Sequence, residues 1–380
     1  MAFLIKNVQV FSPTYLGRKD LLSVGDRLVA IEDKLTVDLP DLTVIDGSKL
    51  IATPGLMDQH VHITGGGGEG GPKTRCPELQ LSELIDCGTT SVVGVLGTDG
   101  ISRSPIELLA KVRALQAEGI SAWMHTSSYL LPPQTITGSV RNDLYAIPEV
   151  LGVKIAIGDH RSSYPSVDTV LTLLTDIRVA AMLAGKIGFL HIHLGDVPGA
   201  FDLFEAIRNR NFPMKHIRPM HIARDKKLFD EACEFALKGG YVDVTSAGIC
   251  AFDQQADAIK LLFERNIPNH LITMSTDGHG SKPRFNDKGD LIGLRCGGVA
   301  GNLDVSVQLI REGYCPETVL PLVTSNVATA LGLPQKGVLG KGKDADLCLF
   351  DEEWNLKWVF AQGELMKDPE GFKRKGTFEE

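Results

Sequence analysis

His60 and His62 stand two residues apart in the apolar run LMDQHVHI. Strand side chains alternate, so both imidazoles face the same way. Four more residues of ligand type occupy or end other apolar runs. Lys154 lies inside GVKIAIG, His193 near the end of GFLHIHLG, His221 near the end of IRPMHIA, and Asp277 directly after HLITMST. An ammonium buried in such a run without a partner is very costly, so Lys154 either snorkels to water or has been neutralised. Reaction with carbon dioxide would turn it into a carbamate, a carboxylate able to bridge two metal ions. Four imidazoles, one aspartate and one carbamate supply the nitrogen and oxygen donors that suit zinc or a similar divalent ion. The set reads as a two-metal centre, with zinc the first choice.

Such a centre needs a scaffold that gathers strand ends. Eight short runs, LMDQHVHI, TSVVGVLG, SAWMHTSS, GVKIAIG, GFLHIHLG, IRPMHIA, YVDVTS and HLITMST, read as strands separated by polar loops and amphipathic helices. One helix opens on Ser104 as N-cap and Pro105, carries Leu108, Val112 and Leu115 on one face, and closes at Gly119. Others are predicted at 166–184, 200–209, 225–238 and 254–265. Alternating strands and helices build a parallel sheet, and eight strands close a barrel. A doubly wound open sheet is the rival, but it does not normally collect polar residues on nearly every strand end. The predicted fold is therefore α/β, a (β/α)8 TIM-like barrel whose C-terminal face carries the site.

The two ends differ from this middle. Residues 2–11 and 24–31 and the run TVIDGSKLIATPG predict strands, with no helical period before residue 75. DADLCLFD, LKWVFAQGELM and the final KGTFEE return to that style. Chain termini commonly lie close together. Residues 1–52 plus 336–380 are thus expected to form a small β-sandwich domain, with 53–335 as the barrel.

Composition narrows the function. The chain has 380 residues, 43% hydrophobic and 23% charged, the balance of a soluble globular protein. A net charge of −8 argues against a nucleic-acid partner, which needs a basic patch. No apolar run approaches the roughly 18 residues of a membrane helix, so no membrane partner is expected. MAFLIKNVQVF alternates like a strand rather than following a signal-peptide pattern. Seven cysteines without a CxxC pair read as reduced, buried thiols and a cytoplasmic address.

In chain order, the HxH pair, the strand-four lysine, two later histidines and the TDG aspartate resemble the amidohydrolase superfamily, as do the flanks ATPGLMDQHVH and GVLGKGKDADLCLFD. Within it, the chain resembles the isoaspartyl dipeptidases over essentially its whole length. The segments that carry this are DQHVHITGGGGEGGPKTR, TSVVGVLGTDGISR, GVKIAIGDHRSS, HLGD, HIAR, STDGHGS and KGTFE. The resemblance implies a barrel of the amidohydrolase type and hydrolysis of the β-aspartyl bond in dipeptides by a bridging hydroxide. It implies that His60, His62 and Asp277 bind one metal, His193 and His221 the other, and carboxylated Lys154 both. The fifth strand reads HIH, so His191 competes with His193. His193 is preferred because it precedes LGD nearer the barrel mouth, leaving His191 a buried structural role one layer deeper.

By the same resemblance Asp277 is general base and then acid, and Tyr129 steadies the tetrahedral oxyanion. Glu69, presented by glycines 65–68, is the partner of the substrate amine, and the glycine N–H groups form an anion nest. Arg161 and Arg224 bind carboxylates, and Thr98 and Ser281 add hydroxyl contacts. HTSSYLLPPQTITGS and SAGICAFDQQADA leave the leaving-group preference open. The family tendency is towards homo-oligomers. A related amidohydrolase acting on another N-acyl amino acid, or a dihydropyrimidinase-like cyclic amidase, would share the metals without needing Glu69 or this arginine pair. A non-enzymatic scaffold on the fold would have lost metal ligands, and none is missing.

Overall fold

The computed structural model describes residues 2–286 and 291–380. Five strands come first: β1 (Ala2–Phe11), β2 (Tyr15–Val24), β3 (Arg27–Glu32), β4 (Leu42–Asp46) and β5 (Ile51–Pro54). Of these, β2 escapes the sequence reading for a physical reason. Its first half is exposed or partly so, and only the stretch from Asp20 to Ser23 is continuously buried, so no alternation shows. A short 3-10 turn at Pro72–Thr74 is the earliest helical geometry, just ahead of the expected limit at residue 75.

The eight predicted barrel strands all form. They are β6 (Leu56–Val61), β7 (Thr89–Gly94), β8 (Ser121–Thr126), β9 (Val150–Ile157), β10 (Leu190–Leu194), β11 (Ile217–Met220), β12 (Val242–Thr245) and β13 (Ile272–Ser275). β6 to β11 make one parallel ladder, and β12 pairs β13 in a second. Closure back to β6 is by backbone: His62 N–H donates to Gly278 O at 2.8 Å, and Asp277 N–H to His60 O at 3.1 Å. These strands are buried almost throughout, which explains their near-continuous apolar runs.

Helices α1 (Leu81–Asp86), α2 (Pro105–Ala117), α3 (Val140–Ala146), α4 (Val167–Leu183), α5 (Ala200–Arg208), α6 (Lys226–Leu237), α7 (Gln255–Glu264) and α8 (Gly301–Arg311) surround the sheet. At α2 the Ser104 hydroxyl accepts from Glu107 N–H at 3.3 Å while the Glu107 carboxylate accepts from Ser104 N–H at 3.2 Å, a reciprocal cap. Leu108, Val112 and Leu115 on its inner face are fully buried.

After β13 the chain makes a hairpin, β14 (Ser281–Phe285) with β15 (Leu291–Cys296), and short helices α9 (Pro316–Val319) and α10 (Ser325–Leu331). It then returns to the N-terminal strands through β16 (Leu347–Phe350), β17 (Leu356–Ala361), β18 (Glu364–Asp368) and β19 (Gly371–Phe372). The resulting sheet runs β19-β18-β17-β16-β5-β1-β2-β3, with β4 also paired to β1. Its own core includes Phe3, Ile5, Leu21, Leu347 and Phe360, with the Phe3 and Phe360 rings 4.3 Å apart. Burying each such side chain is worth about 1.5–3 kcal/mol. The fold is thus the expected barrel with a small β domain contributed by both ends. KGTFEE departs from expectation: it is no strand, but a tail docked on the helices, where Glu379 accepts from Ser82 N–H at 3.1 Å and Glu118 from Thr377 N–H at 2.9 Å.

Candidate active site

At the C-terminal ends of the strands the predicted ligand residues converge. The ring of His60 lies 5.5 Å from that of His62 and 4.8 Å from that of His221, and His193 lies 4.7 Å from His221. Asp277 Oδ1 is 3.2 Å from His62 Nε2 and 3.4 Å from His60 Nε2. One donor atom each from His60, His221 and Asp277 falls within 4.8 Å of the others. Lys154 does not snorkel. It is fully buried, with Nζ 3.1 Å from His60 Nε2. Burial pushes its ammonium down to about 7, against the opposing pull of Asp277.

This donor set fits divalent ions. Burial, reinforced by neighbouring cationic groups, holds His60, His193 and His221 well below the ordinary imidazole range, and burial also lowers His62. Neutral imidazole is the form that ligates. His221 Nδ1 is fixed by the Thr245 hydroxyl at 2.6 Å, while its Nε2 is buried without a hydrogen-bond partner, as is His62 Nδ1. Such orphaned atoms call for an explanation, and an ion supplies one. The backbone is also strained here: His221 and Asp277 adopt φ of 64° and 53°. Each costs about 1–3 kcal/mol, which the surrounding fold must offset.

His191 sits one layer down, beside Lys154 in strand register, whereas His193 pairs with Ala156 nearer the mouth. Its Nε2 is 2.8 Å from His60 Nδ1, so it braces the back of that ring. His125, which sequence reasoning passed over, packs against His191 with ring centroids 4.4 Å apart and the rings tilted by 34°.

Above the cluster opens a cavity of about 320 Å³, lined by Glu69, Thr98, Tyr129, Arg161, Arg224 and Ser281, together with His62, His193 and Asp277. Glu69 Oε1 accepts from Arg161 Nη1 at 2.9 Å, Ser281 Oγ at 2.7 Å and Thr98 Oγ1 at 3.3 Å. Its other oxygen, Oε2, is buried and unpartnered, and so is Arg224 Nε. Most of the glycine run that presents Glu69 is not free to act as an anion nest, Gly67, which borders the cavity, being the exception. Gly65 N–H goes to His62 O, Gly66 N–H to His279 O and Gly68 N–H to Thr74 O. What the glycines provide is a tight return: at φ +75° a Cβ on Gly65 would lie 2.2 Å from Cys76 O, and at φ +85° one on Gly67 would lie 2.5 Å from Thr74 O.

Tyr129 O–H meets His193 Nδ1 at 2.9 Å, and burial pushes its phenol up, so the proton stays on. Asp159 is the main residue missed. Its carboxylate takes Arg161 Nε at 2.8 Å, Arg161 Nη2 at 2.7 Å and His193 Nε2 at 3.0 Å, with Arg224 Nη1 at 3.7 Å. Burial alone would raise its pKa, yet the Arg161 and His193 hydrogen bonds hold it far below the usual carboxylate range. In the sequence it sits two residues before Arg161 in GDHRSS and reads as a turn aspartate. Removing it strands buried cations, so Asp159→Ala is expected to lower stability by about 3–5 kcal/mol in urea unfolding. Arg113→Ala, which breaks the exposed pair with Glu149, should cost less than about 1 kcal/mol.

The sequence pattern of the amidohydrolase family matches residues 177–378. The crystal structure of beta-aspartyl dipeptidase from the thermophilic keratin-degrading Fervidobacterium islandicum AW-1, in complex with beta-Asp-Leu dipeptide, is 39% identical, with a TM-score of 0.94, covering 100% of this chain and 99% of that one. Dihydropyrimidinase from Brevibacillus agri NCHU1002, 17% identical with a TM-score of 0.70 over 99% of this chain and 97% of its own, shares the fold. Adenine deaminase 1 of Latilactobacillus sakei is 23% identical over 89% of this chain but 52% of its own, so the chain spans about half the length of that relative. The chain belongs to the amidohydrolase family. Its full-length similarity at 39% identity sets it among the dipeptidases of that family, and it is a hydrolase.

Proposed function

We propose that this enzyme hydrolyses the β-aspartyl peptide bond of dipeptides. The observation that carries the reading is Glu69 Oε2, a buried carboxylate oxygen with no hydrogen-bond partner, on a side chain that lines a cavity also lined by Arg161 and Arg224. A buried acceptor left unpaired is costly unless a ligand supplies the donor. A β-aspartyl dipeptide brings one ammonium and two carboxylates, matching Glu69 and the cationic groups. A neutral cyclic amide, the dihydropyrimidinase-like alternative, offers N–H donors but no charge to match Glu69 or the two arginines. The bound beta-Asp-Leu of the Fervidobacterium enzyme supports the same choice.

His60, His62 and Asp277 would hold one divalent ion and His193 and His221 a second, with carboxylated Lys154 between them; zinc suits these donors best. When bound, such a pair lowers the pKa of a water and polarises the scissile carbonyl. The chain's own residues do the rest. Asp277 is largely buried among histidines, and although burial opposes it, the His62 hydrogen bond holds its carboxyl below the usual range and so ionised. It therefore takes the proton of the attacking water and returns it to the leaving amine. Tyr129, still protonated, donates to the oxygen on which negative charge develops. Thr98, Ser281 and Arg161 aim Glu69, and the two arginines receive carboxylate. The described cysteines are free thiols, which supports a cytoplasmic setting.

The test is a comparison of β-Asp-Leu with α-Asp-Leu, using zinc-loaded protein and added bicarbonate. Leucine release from the β-linked peptide, at least about 100-fold faster than from the α-linked one, is expected. Equal rates, or no hydrolysis of the β-linked peptide by metal-replete protein, would reject this substrate.

A further inference from the structure

His60 has two ring nitrogens, and the site above uses one of them. Nε2 faces the cluster, 3.4 Å from Asp277 Oδ1 and 3.1 Å from Lys154 Nζ. Nδ1 lies 2.8 Å from His191 Nε2, and both side chains are fully buried. His191 takes that place because the HIH run sets it two residues before His193, on the same face of β10 and one layer lower. Its neighbours in register are Lys154 on β9 and Arg218 on β11.

A contact of that length between two imidazole nitrogens holds one proton. Two N–H groups would collide, and two lone pairs would repel. Only with the proton on Nδ1 does His60 keep a lone pair on Nε2, the form that ligates an ion. His191 must then accept at Nε2 and carry its own proton on Nδ1. A charged His191 could not accept, and its surroundings disfavour charge. The ring is fully buried, both neighbours in register are basic, and among the described residues no carboxylate hydrogen-bonds with it.

A ligating histidine is commonly held from behind by a carboxylate or a backbone carbonyl, groups that only accept. Among the described residues His60 Nδ1 has neither, only His191. His191 in turn has nothing else to bond: its Nδ1 is buried without a hydrogen-bond partner, and His125 only packs against its ring. An apolar side chain would fill this layer without burying a polar atom unpaired, so packing alone does not account for an imidazole here. We infer that His191 is a positioning residue that holds His60 in the Nδ1-protonated form, leaving Nε2 free to ligate. This rests on the metal-site reading above.

The experiment measures zinc affinity of wild type, His191→Phe and His191→Gln by competition with a chromophoric chelator, with bicarbonate present. Phenylalanine keeps a ring in the layer but offers no acceptor, whereas glutamine carries an amide oxygen at similar reach. His191→Phe should bind zinc roughly 10- to 100-fold more weakly, and His191→Gln should recover most of that loss. Nitrogen NMR of wild type with isotope-labelled histidine gives a second readout that needs no variant to fold. In the zinc-loaded protein His60 should carry its proton on Nδ1, with scalar coupling across the hydrogen bond to a second imidazole nitrogen. Unchanged affinity in His191→Phe, an equal loss in both variants, or a His60 Nδ1 without that coupling overturns the assignment while the metal site stands. Wild type that binds no zinc overturns both.

Discussion

Asp277→Asn is expected to lower kcat on β-Asp-Leu by roughly 1,000-fold while leaving the fold intact. General acid–base groups contribute about 100- to 10,000-fold, and Asp277 is assigned two proton transfers in each turnover. Asparagine keeps the shape and a carbonyl oxygen but cannot accept the proton. It also suits the backbone: Asp277 has φ 53°, and asparagine is among the few residues enriched in the left-handed region. The Asp277 N–H bond to His60 O that closes the barrel is main-chain and survives the substitution. Loss of turnover with an unchanged unfolding midpoint would therefore report chemistry rather than folding. Metal content measured on the same preparation separates a lost proton carrier from a lost ligand. Activity within about tenfold of wild type would remove Asp277 from the proton path.

What sequence alone reveals follows from whether a residue is anomalous in its own neighbourhood. His60 and His62 are polar residues at strand spacing, and Lys154 is an ammonium inside GVKIAIG, so each stands out before any tertiary contact is known. The barrel strands are legible for the same reason, being short runs buried on both faces. Asp159 and His125 look ordinary in sequence. Asp159 becomes a buried anchor when β9, β10 and the turn after β11 bring Arg161, His193 and Arg224 around it. The glycine run shows the limit from the other side. Its composition allows a nest, but which acceptors its N–H groups find depends on Thr74 and His279, distant or downstream residues whose placement only the folded loop decides. The docked tail is similar, since it takes its place from Ser82 and Glu118, far along the chain.

Lys154→Ala should be as damaging as the loss of Asp277, and by a different route. With Lys154 as an ammonium, its charge cancels that of Asp277, and a cluster of neutral imidazoles with no net negative charge is a poor host for divalent cations. Burial brings its pKa to about 7, so near neutral pH about half of the side chain is free amine, the form that attacks carbon dioxide. In the carboxylation proposed above, the N–C bond would form, a proton would leave, and the product would be a carbamate. The cluster would then carry two negative charges, one from the carbamate and one from Asp277, beside His60, whose Nε2 lies 3.1 Å from the lysine nitrogen. Alanine removes this anion but opens a hole of matching shape. Activity and bound metal should both fall, the former by roughly 1,000-fold, and a short carboxylic acid added to the variant should restore part of each by occupying the hole. Isotope-labelled bicarbonate should give a carbamate signal in wild type that is absent from Lys154→Ala. An alanine variant that keeps its metal and turns over normally, or wild type that loads metal equally well when prepared free of carbon dioxide, would show that Lys154 fills the barrel without carrying the charge that holds the ions.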